Sequence, residues 1–71
     1  MWHEALEHYT RGLEVDELVE EFYKRAMICC MNMDRKSEAL SIFKRCQETL
    51  ERALDIEPSE DTVAMARQLR S

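Results

Sequence analysis

The chain has 71 residues and a mass of 8.5 kDa, enough for one packed core and too little for two. Its 45% hydrophobic and 35% charged residues exclude a disordered tail and a membrane protein, and one Gly and one Pro are too few for the turns of a sheet protein, which leaves helices. A formal net charge of -5 opposes a direct grip on phosphate backbones.

The first predicted helix covers about residues 2–13, where Trp2, Ala5, Leu6, Tyr9 and Leu13 recur at three- and four-residue steps. Gly12 weakens its last turn. The second covers about 17–32. Asp16 is its candidate cap, Glu17, Glu20 and Glu21 load its positive end with negative charge, and Phe22, Ala26, Cys29 or Cys30, and Met33 form its buried face.

The third helix covers about 36–54, with Asp34 or Ser37 as its cap. Ala39, Phe43, Cys46, Leu50 and Ala53 step by four, three, four and three, the spacing of a seam packed along a partner helix. Pro58 disfavours helical geometry at Glu57, and Ser59 with Glu60 and Asp61 opens a fourth helix over about 59–70. This helix turns Val63, Ala66 and Leu69 inward and places Arg67 and Arg70 at its negative end.

No apolar run approaches the roughly 20 residues of a membrane span. The start Trp2-His3-Glu4 lacks the basic-then-apolar order of a secretory signal, so the expected compartment is the cytoplasm. There Cys29, Cys30 and Cys46 stay reduced, and their odd count without C-x-x-C spacing offers neither a disulfide nor a zinc framework. One of Cys29 and Cys30 is expected to be accessible, because adjacent residues cannot both face one narrow stripe. His3 and His8 point about 140° apart on a helix and make no metal site together. The glutamates at the second helix read as a solvated, dipole-compensating start, since no Gly-rich loop, nucleophile elbow or convergent ligand set accompanies them. No enzyme, cofactor, metal or small-molecule substrate is expected.

The sequence also repeats itself. Glu4-Ala5-Leu6 aligns with Glu38-Ala39-Leu40, Tyr9 with Phe43 and Arg11 with Arg45, an offset of 34 positions that is the period of a helix-turn-helix repeat. On these residues the chain resembles a tetratricopeptide repeat, with Tyr23 at the large aromatic position of the first helix of the repeat and Ala39, Phe43 and Cys46 on the second. It departs from that pattern at Ala26 and Met27, at Glu17 in place of Pro, and at Asp34 in place of the Gly of the turn.

A narrower resemblance covers almost the whole chain. Ala5-Leu6, Tyr9, Leu13, Asp16, Glu21, Tyr23, Met27, Arg35, Glu38-Ala39-Leu40, Phe43 and Leu50 are followed by Leu54-Asp55-Ile56-Glu57-Pro58-Ser59-Glu60-Asp61-Thr62. This order is similar to the C-terminal half of the bacterial transcriptional activator domain, found in regulators of the streptomycete antibiotic regulatory protein class and their relatives. The Glu57-Pro58-Ser59 core of its most specific stretch is intact, and Asp55 stands where Gly is usual.

The resemblance implies an all-α fold of about four helices, TPR-like antiparallel hairpins in a right-handed stack. It implies one domain over 1–71, a fragment of a larger regulator whose winged-helix DNA-binding domain lies outside this chain. The implied role is protein–protein interaction and oligomerisation, with a protein partner or a second copy, as a homodimer or higher assembly. DNA is contacted only through the separate domain, and no membrane is involved. By analogy with tetratricopeptide repeats, Glu21, Lys24, Ile28 and Met31 map to the partner-binding inner surface. The rival reading is a stand-alone adaptor that binds a peptide or partner protein.

Overall fold

The structure, a computed structural model, describes residues 1–15 and 19–70. Four helices follow one another: α1 (Trp2–Val15), α2 (Glu20–Asn32), α3 (Lys36–Leu54) and α4 (Glu60–Arg70). No strand occurs among the described residues. Each helix packs on the next in the chain, giving the TPR-like stack that short connections impose on antiparallel neighbours. The molecule is a slab of 32 × 30 × 16 Å.

The helix α1 continues through Gly12, which has a packing reason to be there. A Cβ at Gly12 would lie 3.0 Å from the Phe22 ring, so the bare backbone lets α1 and α2 approach closely. The second helix starts from Val19 without a side-chain cap; the Asp16 cap expected from sequence lies outside the described residues.

Neither Asp34 nor Ser37 caps α3. Arg35 occupies the N-cap with no side-chain bond, because Asp34 is committed to the turn itself, in the left-handed region at φ 58. Asp55 ends α3 in the same conformation, at φ 54, and its amide bonds back to the Glu51 carbonyl at 3.0 Å. Both aspartates stand where the resembled families place Gly. Short polar side chains visit this region at lower cost than other residues.

The core forms two connected clusters. The larger joins Leu6, Ala26, Met27, Cys29, Cys30, Ala39, Phe43, Ala66 and Leu69 across all four helices, and the smaller joins Leu13, Tyr23, Cys46 and Leu50. Burying a side chain the size of Leu, Phe or Met contributes about 1.5–3 kcal/mol.

The expected seam of α3 holds at Ala39, Phe43, Cys46 and Leu50, and fails at Ala53, which is exposed. At 19 residues α3 outruns the 13 of α2, leaving its last turn outside the packed region. The buried face of α2 is broader than the stripe through Phe22, Ala26 and Met33, of which Phe22 and Met33 are only half-buried. Tyr23 and Met27 are fully buried, and Cys29 and Cys30 are both buried, against the expectation that one thiol is accessible. The reason is that α2 lies between α1 and α3, so two flanking helices cover two arcs of its surface.

Candidate functional site

The four residues that the repeat analogy maps to a partner surface lie along α2 in different surroundings. Glu21 is exposed and accepts a hydrogen bond from Arg25 Nε at 3.0 Å. Lys24 is half-buried and pairs with Asp61 of α4 at 3.5 Å. Ile28 lines a shallow depression with Trp2, Ala5, Tyr9 and Arg25, and Met31 packs partly buried against the larger core cluster. The structure therefore turns Lys24 toward α4 and Ile28 toward α1.

Among the described residues the large exposed apolar side chains form two groups, Met1 (92%) and Trp2 (45%) at the start of α1, and Leu54 (50%) and Ile56 (48%) at the end of α3. The internal repeat shows what this end lacks. Ala39 and Phe43 are buried on α3, whereas their counterparts Ala5 and Tyr9 are only half-buried on α1. The difference follows from neighbours: α3 packs against both α2 and α4, whereas among the described residues α1 packs chiefly against α2.

A second constellation joins the start of α2 to the start of α4. The Glu20 carboxylate, in the first turn of α2, accepts the Ser59 amide at 3.0 and 3.2 Å. It also accepts the Ser59 hydroxyl and the Thr62 hydroxyl at 3.0 Å. Ser59 and Thr62 hydroxyls are themselves 3.2 Å apart, and Thr62 is completely buried. Partial burial alone would push the Glu20 carboxyl up; the Ser59 and Thr62 hydrogen bonds and the Lys24 charge outweigh it and hold the group below its ordinary value.

Sequence reasoning placed Glu20 in a solvated cluster and missed this role. No local signal points to it, because the donors lie 39 and 42 positions away in the chain. The Glu57-Pro58-Ser59 stretch thus has a structural meaning: Pro58 is buried in the non-helical connection between α3 and α4 and delivers Ser59 to the clasp.

The cysteines are core groups. Burial pushes Cys29 up, Cys30 up to about 11 and Cys46 up to about 12, away from the thiolate form that nucleophiles and metal ligands need. Among the described residues no group of three His, Cys, Asp or Glu side chains is placed to hold a metal ion. No described helix is long and apolar enough to cross a membrane.

The model of the bacterial transcriptional activator domain matches residues 1–70. The chain belongs to that family. No curated protein and no solved structure gives a significant match. Family membership makes this a domain of transcriptional regulators, carried on four helices whose Glu20–Ser59 clasp joins α2 to the signature stretch.

Proposed function

We propose that this bacterial transcriptional activator domain is a non-catalytic protein-contact and oligomerisation module. In this reading it sits in the cytoplasm as the C-terminal half of the activator domain of a regulator in the streptomycete antibiotic regulatory protein class. A separate winged-helix domain contacts DNA. The observation that supports it is the unequal cover of two equivalent helices: Ala5 and Tyr9 half-buried beside exposed Met1 and Trp2, where Ala39 and Phe43 are sealed. A stripe with the sequence of a buried face and a neighbour on one side only is surface for another helix. A second copy of the chain is the proposed occupant.

Light scattering across a concentration series tests this. The wild-type domain is expected to run as a dimer or larger, and Trp2→Glu, with circular dichroism unchanged, as a monomer. A wild type that stays monomeric at the highest concentration would remove self-association from the reading. The adaptor alternative is weakened by Lys24, the one cation among the four inner-surface residues, which is turned toward α4 by its pairing with Asp61.

A further inference from the structure

We propose that Glu20 is the latch of a releasable lid: its carboxylate, clasping Ser59 and Thr62, holds α4 on the α2–α3 pair, and neutralising it frees α4 while α1, α2 and α3 stay packed. The inference rests on the fold and is independent of the self-association reading above.

Three observations carry it. The junction of α4 with α3 is the sparsest of the three between consecutive helices, and α4 contributes Ala66 and Leu69 to the buried apolar core, with Val63 and Met65 half-buried against it, where α2 contributes five buried residues. Apolar docking of α4 is therefore thin. Secondly, the non-helical connection from Asp55 to Ser59 contains the left-handed Asp55, so α4 hangs on a defined joint whose far end is tied at Ser59. Thirdly, three donor groups converge on one carboxylate from a helix start 39 to 42 positions away.

Only the charged form suits that arrangement. A carboxylate offers two acceptor oxygens with about four lone-pair sites; protonation turns one oxygen into a donor, pointing a hydrogen at hydroxyls that already bring their own. Hydrogen bonds to the ionised form are also roughly twice as strong as neutral ones. Among the described residues, Lys24 and Cys46 are the titratable groups that feel the Glu20 charge. Lys24 of its own helix faces it and bridges to Asp61 of α4. From α3 the Cys46 thiol feels the Glu20 charge, which adds to the burial that keeps it protonated. The Lys24–Asp61 pair is a weaker strut, since Asp61 is 80% exposed and solvent screens it.

Amide hydrogen exchange on the whole chain, wild type against Glu20→Gln, reads the latch directly. In the variant, amides from Val63 to Arg70 should exchange about tenfold faster, the loss of one charge-assisted bond, with amides of Tyr23–Cys30 and Phe43–Leu50 unchanged. Equal acceleration in all helices, or none in α4, would overturn the lid. Wild type supplies a second test that does not depend on the variant folding. Its α4 amides should exchange through an opening less sensitive to denaturant than that of α2 and α3. One common opening for all four helices would overturn the proposal as well.

Discussion

Ser59 donates both its backbone amide and its hydroxyl to the carboxylate of Glu20, a residue 39 positions earlier in the chain. A helix start normally satisfies its free amides with a cap from its own residues or with water. Here the acceptor comes from the first turn of another helix, so one acidic group serves the positive ends of both α2 and α4.

That pairing sets a pH dependence. The folded carboxyl of Glu20 lies below its ordinary value of 4.5, so its contribution to stability is present above that value and is lost as pH falls through the folded one. Thermal melts from pH 7 to pH 3 should show a steeper fall in Tm for wild type than for Glu20→Gln. Parallel curves would mean that the clasp does not distinguish the two protonation states.

The two left-handed aspartates give an opposite kind of change. Replacing Asp34 or Asp55 by Gly removes a Cβ from a conformation that L-residues adopt at a cost. Each change should stabilise the fold by about 0.5–1 kcal/mol, Asp34 and Asp55 adding because they lie at opposite ends of α3. Urea midpoints read this, and a lower midpoint for both variants would show that the carboxylates contribute more than the backbone strain costs.

Phe43 is the large aromatic of the seam, buried between α2 and α4, with the Arg70 guanidinium 5.8 Å from its ring centre. Phe43→Ala should cost about 3–5 kcal/mol, which in a domain of this size is most of the net stability. Loss of the cooperative melt is the expected outcome. Arg70→Ala removes only a contact at the helix end and should cost about 1 kcal/mol or less.

The buried thiols predict slow, collective labelling. At pH 8 a disulfide reagent should modify Cys29, Cys30 and Cys46 at rates set by opening of the structure, because no native thiol is both exposed and ionised. Rapid modification of Cys29 or Cys30 in the absence of denaturant would contradict the packing of α2 between its neighbours.

What was legible in the sequence is what repeats at short range. The steps from Ala39 to Leu50 and the pairing of Tyr9 with Phe43 gave the helices and the order of the stack, since apolar spacing near 3.6 residues records a buried face. Width of burial is harder to read. A stripe drawn through Phe22 missed Tyr23 and Met27, because a helix covered from two sides buries positions that a single stripe assigns to its flanks. Hardest was the clasp. Glu20 looks like any acid at a helix start, and only the fold brings Ser59 and Thr62 to it.

Gly12 and Phe22 carry a consequence for variation in this domain. With an aromatic ring resting on bare main chain at 3.0 Å from where a methyl would sit, the two positions are mechanically linked. Alanine at 12 would ordinarily favour the helix by about 1 kcal/mol; here the end of the Phe22 ring must first give way, which subtracts from that benefit, and a smaller side chain at 22 restores it. Bulk at one of these sites should therefore be best tolerated where the other gives it up.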